Sequence, residues 1–259
     1  IVTGVIGEGV AASPNPVLGW VGSLSTIDET SGYWVKVNEG STLCIGDATP
    51  LDASQVTYEL HFGANLISFP FSGIVDVSSA LPDDVEGSIS GAISEGTATT
   101  QISPGLWVGS LNSFEGGKGY WVISDDDISF SYDLSTLSRT NIAYKEEKLD
   151  GYEYVQSTKQ AFYFVESVEG INEGDYILSF NGDELIGSRQ WQGNTIDVPA
   201  MGSDGNSYSN GYMKAGDIPT FKLLKNSTGE VIELGREVYE WESNGTFMLS
   251  GLIEVESVE

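Results

Sequence analysis

The feature that most limits what this chain can fold into is a set of sequence blocks that occur twice at one fixed spacing. Gly4-Val5-Ile6-Gly7-Glu8-Gly9-Val10-Ala11 returns as Gly91-Ala92-Ile93-Ser94-Glu95-Gly96-Thr97-Ala98. Trp20-Val21-Gly22-Ser23-Leu24 returns unchanged as Trp107-Val108-Gly109-Ser110-Leu111, and Gly32-Tyr33-Trp34-Val35 returns as Gly119-Tyr120-Trp121-Val122. All three pairs lie 87 residues apart with no gap. A constant offset across separate blocks marks tandem repeats, units that bury their apolar faces against one another.

The second copy begins earlier than the first. It is preceded by Tyr58-Glu59-Leu60-His61-Phe62-Gly63-Ala64-Asn65-Leu66-Ile67-Ser68-Phe69-Pro70-Phe71 and a Pro82-Asp83-Asp84 turn, neither of which has a counterpart before Gly4. Ile1 is therefore expected to fall inside a repeat. Two explanations stand at this point: the chain is a piece of a longer protein, or its first module is completed by strands from elsewhere. The resulting division is a partial first repeat over 1–57, a complete second repeat over 58–140, a charged linker over 141–150 and a separate module over 151–259.

Each part reads as β, with a short helix in the complete repeat around Val77–Ile89. Tyr33-Trp34-Val35-Lys36-Val37 and Tyr120-Trp121-Val122-Ile123 are aromatic and β-branched runs after a glycine turn, and Ile128–Leu134 alternates apolar with polar. In the last module Asn181-Gly182-Asp183 separates Asp175–Phe180 from Glu184–Arg189, a hairpin signal, and Asn226-Ser227-Thr228-Gly229 separates a second pair of strands. The 32 glycines, spread along the chain, suit many short strands and tight turns. The expected fold class is all-β with few short helices: tandem β-rich repeats of about 87 residues followed by a β-sandwich.

Charge narrows the partners. The chain has 11 Lys+Arg against 38 Asp+Glu, a formal net charge of −27. Nucleic-acid binding needs a cationic surface to displace counterions, and an anionic membrane would repel such a chain. Membrane insertion is not expected either, because no run of about eighteen apolar residues occurs. The acidity suits solubility outside the cell. One cysteine, Cys44, excludes an intrachain disulfide and reads as a small buried hydrophobe.

The repeats, with Gly63-Ala64-Asn65-Leu66-Ile67-Ser68-Phe69-Pro70 leading into the two shared blocks, resemble modules of large secreted proteins of marine bacteria. The last segment, with Gly174-Asp175-Tyr176-Ile177, Gly187-Ser188-Arg189-Gln190-Trp191, Val198-Pro199-Ala200-Met201-Gly202 and Gly216-Asp217-Ile218-Pro219, is similar to a β-module that precedes type IX secretion sorting domains. Residues 1–259 hold no such sorting domain, which fits either a mature protein whose sorting domain has been removed or a piece of a longer chain. The resemblance implies export to the cell surface or beyond, and no catalytic residues.

The residues themselves point the same way. His61 is the one histidine, with no nucleophile elbow beside it, and no phosphate-cradling loop or Cys/His cluster is present. No catalytic residue is expected. Calcium is the candidate cofactor, because Asp204 and Asn206 pack oxygen donors around Gly205, with Asp125 and Asp127 as a second candidate set; the competing reading of both is an Asx turn. Trp191 and Trp241 are candidate sugar-stacking rings. Two functions follow. One is a non-enzymatic extracellular structural or adhesive protein, self-associating through strand complementation. The alternative is a carbohydrate-binding accessory module on a surface polysaccharide. Exposure of Trp191 and Trp241 discriminates between them.

Overall fold

A computed structural model describes residues 1–43, 52, 55–132 and 149–255. Cys44 and most of the expected linker lie outside the described residues. The protein is all-β: strands take 46% of residues and helices 5%, and among the described residues no helix reaches seven residues.

The chain divides into two compact units. The first holds residues 1–94, 101–107 and 112–143; the second holds 95–100, 108–111 and 144–259. The division runs through the second copy of the shared motif, whose Glu95–Thr100 and Val108–Leu111 segments belong with the last module.

In the first unit, β1 (Val2–Gly7), β2 (Val10–Asn15), β3 (Gly19–Gly22) and β4 (Trp34–Val37) form a four-stranded sheet in the order β3-β2-β1-β4. Then come β5 (Tyr58–Leu60), β6 (Gly63–Ser68), β7 (Ile74–Asp76), two single-turn helices, α1 (Val77–Ala80) and α2 (Asp83–Glu86), and β8 (Ile89–Ile93). Along the chain follow β9 (Ala98–Ser103) and β10 (Leu106–Gly109), of which Ala98–Thr100 and Val108–Gly109 count with the second unit, and then β11 (Ser113–Glu115), β12 (Gly119–Ser124) and β13 (Ile128–Phe130). Five of these make a sheet in the order β10-β9-β8-β12-β6, while β11 pairs with β7 and β13 with β5. Positions 87 apart hold matching places in the two sheets. The one difference in strand order is β6, which flanks β12 and has no counterpart beside β4 among the described residues.

The shared Trp-Val-Gly-Ser-Leu block needs its glycine in both copies. Gly22 and Gly109 have φ of 145° and 130°, and a Cβ would sit 2.1 Å from the Ala11 carbonyl oxygen or 2.3 Å from that of Ala98. No other residue type closes this turn without moving backbone. The leucine that follows donates its amide to the same carbonyl, Leu24 to Ala11 at 3.1 Å and Leu111 to Ala98 at 3.0 Å.

An aromatic cluster forms much of the core of the first unit. Tyr58, Phe69, Phe114, Tyr120, Phe130 and Tyr132 are all buried, with ring centroids 4.6–5.5 Å apart in mostly edge-on contacts. Burial pushes the Tyr120 phenol up to about 12. Trp20 does not join a core; it is 53% exposed.

The second unit has two sheets around one core. β14 (Lys159–Val165), β17 (Ile196–Gly202) and β20 (Thr246–Leu249) run in the order β17-β14-β20, with β14 and β20 parallel. The other sheet has the order β16-β15-β18-β19-β21, from β15 (Tyr176–Asn181), β16 (Glu184–Gln190), β18 (Thr220–Leu224), β19 (Val231–Gly235) and β21 (Ile253–Glu254). Tyr163, Val198 and Met201 from the first sheet pack in one cluster with Ile177, Ile186, Phe221 and Leu223 from the second. The expected hairpin is present: Asn181 opposes Glu184 across Gly182-Asp183, and Gly182 supplies the φ of 59° that the turn requires.

Candidate functional sites

The two tryptophans expected to stack on sugar rings lie in the core of the second unit. Trp191 is 7% exposed and Trp241 3%, both within the same apolar cluster. The Trp241 indole N–H donates to the Ala200 carbonyl at 2.9 Å, and its ring fills the space that a Cβ on Gly202 would need. Neither ring presents a face to a ligand. The expectation of a sugar platform here is corrected by packing: a large apolar ring with one N–H is better placed inside, once that N–H finds a carbonyl.

The Asp204 turn is built and self-contained. Asp204 Oδ1 accepts from the Asn206 backbone amide at 3.1 Å, from Asn206 Nδ2 at 2.8 Å and from Ser209 Oγ at 2.9 Å; Oδ2 accepts from Tyr208 Oη and from Thr158 Oγ1 at 3.4 Å. Burial raises the Asp204 carboxyl, but the bonds from Tyr208, Asn206 and Ser209 outweigh it and hold it below the usual carboxylate range. This carboxylate organises the Asn206–Ser209 turn through four donors of the turn itself, with Thr158 as a fifth from outside it. Asn206 turns its amide toward Asp204 as a donor, opposite to the role of a cation ligand. Asp125 and Asp127 lie on the exposed turn between β12 and β13, where Asp127 Oδ1 accepts the Phe62 amide at 2.9 Å and the Asp125 amide donates to Ser88. Among the described residues no three His, Cys, Asp or Glu side chains converge as a metal site.

His61 is a surface residue engaged with Glu8. Its Nε2 lies 2.7 Å from Glu8 Oε1, while Glu8 Oε2 accepts the Leu66 amide of β6 at 2.8 Å. The neighbouring segment continues the contact: the Gly32 amide donates to the Leu66 carbonyl at 2.8 Å and the Ser68 amide to that of Thr30 at 2.9 Å. Glu8 and Thr30–Gly32 from the first copy thus hold the edge of β6 that faces away from β12.

A further buried polar site among the described residues is not among those expected from the sequence. Arg189 on β16 and Asp197 on β17 have fully buried side chains, with Nη2 3.0 Å from Oδ2. Arg189 Nε donates to the Asp197 carbonyl at 2.8 Å and Nη2 to the Gly96 carbonyl at 2.6 Å. Asp197 accepts the Ala98 amide at 3.1 Å, the Ser110 amide at 2.5 Å and Ser110 Oγ at 2.9 Å. Burial pushes the Asp197 carboxyl up, while Arg189's charge and the Ser110 donors pull the other way. A buried pair survives only when its remaining donors and acceptors are used in this way. Two clues lie in the sequence: an arginine in the run Ile186-Gly187-Ser188-Arg189, and an aspartate inside Ile196-Asp197-Val198. In a chain with so few basic residues, a charge inside an apolar strand needs a partner.

No family model, no curated protein and no solved structure matches this chain.

Proposed function

We propose that this chain is a non-enzymatic, extracellular structural or adhesive protein whose repeats associate through strand complementation. The observation that carries this reading is a contrast between two equivalent valines. Val122 on β12 is fully buried and lies beneath the pairing with β6, whereas Val35 on β4 is 45% exposed. Among the described residues the first sheet thus has one strand fewer than the second. An uncovered β-branched edge is a template for another strand. The net charge of −27 keeps such a chain soluble, and in a salty medium screening lets like-charged copies approach.

The alternative, a carbohydrate-binding accessory module, loses the two rings on which it rested. Calcium enters the proposal as an ordering ion for exposed acidic turns. Light scattering on the full chain, first with calcium at about 5 mM and then with chelator, tests the reading. Large assemblies that shrink on chelation support a calcium-ordered structural protein. A monodisperse monomer in both conditions overturns self-association.

A further inference from the structure

We propose that the loop pair formed by residues 9–11 and 22–24 of the first copy is a carboxylate-binding site, and that its ligand is an aspartate side chain presented beside an arginine on a partner protein. The inference goes beyond strand complementation, because it uses a loop face and no strand edge.

The second copy holds such a group with the same block. Around Asp197, the Ala98 amide donates to Oδ2 at 3.1 Å, the Ser110 amide to Oδ1 at 2.5 Å and Ser110 Oγ to Oδ2 at 2.9 Å. Beside them the Gly96 carbonyl accepts Arg189 Nη2 at 2.6 Å. Each of these groups has a counterpart 87 residues earlier: Ala11 for Ala98, Ser23 for Ser110 and Gly9 for Gly96. The backbone that aims them is the same. Gly9 and Gly96 have φ of 67° and 70°, and the Leu24 amide meets the Ala11 carbonyl as the Leu111 amide meets that of Ala98. Two backbone N–H groups and a hydroxyl fixed around one point make a seat for a carboxylate.

In the first copy that point is open to solvent. Gly9, Ala11, Gly22 and Ser23 are all exposed. The Ser23 hydroxyl accepts the Ala11 amide at 3.2 Å, so its oxygen serves the amide whose equivalent serves Asp197 Oδ2 in the second copy. A carboxylate replaces that one neutral bond by charge-assisted ones. The groups that cover the block in the second copy are Phe164, against Gly109, with Arg189 and Asp197; all three lie later in the chain than the block they cover.

Long-range repulsion does not close the site to an anion. Residues 9–27 and 96–114, the two stretches that carry the blocks, contain no Asp, Glu, Lys, Arg or His in a chain of net charge −27. The remaining repulsion is screened by salt, and it cancels for a ligand whose carboxylate is balanced by a guanidinium. The Gly9 carbonyl, equivalent to the acceptor of Arg189, gives that guanidinium a partner. An Arg–Asp pair therefore fits the block better than a lone carboxylate.

The test titrates the full chain with two probes while its amide signals are followed by NMR. Sodium acetate, up to about 0.1 M at constant ionic strength, is expected to shift the Ala11 and Ser23 amides saturably. The Ala98 and Ser110 amides, already bound to Asp197, are expected to stay in place. A cyclised peptide of residues 187–199, which carries Arg189 and Asp197, supplies the pair with little ordering cost. It is expected to bind about tenfold or more tightly than acetate, and an Asp197→Asn form of the peptide is expected to lose that gain. Ser23→Asp in the full chain, an exposed change that fills the site with its own carboxylate, is expected to abolish both responses. Absence of a saturable acetate shift, or an unchanged shift in Ser23→Asp, overturns the site. Acetate binding that the peptide does not exceed overturns the Arg–Asp partner and leaves a site for small free carboxylates. These readouts do not require the chain to self-associate, so they stand or fall separately from the light scattering.

Discussion

Ser23 and Ser110 occupy the same place in the same five-residue block, and their bonds differ. Ser23 Oγ accepts the Ala11 amide at 3.2 Å and stays at the surface. Ser110 is buried; its amide and hydroxyl both donate to Asp197, and the Ala98 amide, the counterpart of Ala11, donates to the same carboxylate. The turn geometry set by Gly22 and Gly109 is common to both, so the block encodes a loop with donors at fixed positions. What the donors bind is decided by what packs against them. An identical sequence is therefore a surface loop in one setting and half of a buried charge site in the other.

Removing the carboxylate tests that contrast most severely. Asp197→Ala leaves Arg189 buried without its counter-ion and strands three donors, and is expected to cost about 3–5 kcal/mol in denaturant unfolding. Replacing Arg189 and Asp197 together by apolar residues is expected to cost much less than the sum of the single changes. Next in size, Ser110→Ala is expected to lose about 1.5–3 kcal/mol, the range for a hydrogen bond to a charged group, while Ser23→Ala stays within about 0.5 kcal/mol. Equal effects at the two serines would erase the distinction.

Acid sharpens the comparison from the other side. Asp28 in the first copy accepts from the Thr30 and Ser31 amides and hydroxyls at 2.9–3.0 Å. Burial raises its carboxyl, but these bonds together outweigh it, so its folded value lies below the ordinary one. A lowered value means that the stabilisation is complete above the unfolded carboxylate range. It is lost as pH falls through the folded value. The Tyr33 ring, whose hydroxyl donates to Asp28 at 3.2 Å, is expected to loosen in acid before Tyr120, which NMR chemical shifts resolve. The smallest effect belongs to the His61–Glu8 contact. Both side chains are largely exposed, so Glu8→Gln is expected to change stability by less than about 1 kcal/mol in thermal unfolding.

Much of the fold is legible in the sequence, because alternation and glycine turns are local signals. The Asn181-Gly182 hairpin, helical turns in the Val77–Ile89 region and the strands Trp34–Val37, Gly119–Ser124 and Ile128–Phe130 follow from spacing alone. The parallel pairing of β14 with β20 does not, since it joins segments about eighty residues apart with no turn between them. The sites are less legible for a related reason. Trp191 and Trp241 read equally well as ligand platforms or core, and only the sheets around them decide. Asp204 and Asn206 carry oxygen atoms in a glycine turn, which describes a cation loop and an Asx turn alike, and the donors Tyr208, Ser209 and Thr158 make the difference. Arg189 and Asp197 stand out only as charges in apolar strands, and their Ser110 and Gly96 partners lie far away in sequence.

The outer edge of β4, which has no paired strand among the described residues, is best tested by amide hydrogen exchange at Val35 and Val122 in the same dilute sample, where association is suppressed. Exchange at Val35 faster than at Val122 by about two orders of magnitude or more is predicted, narrowing as the protein is concentrated. Equal, concentration-independent protection of the two valines would contradict the account, because β4 would then already have a strand on its outer side.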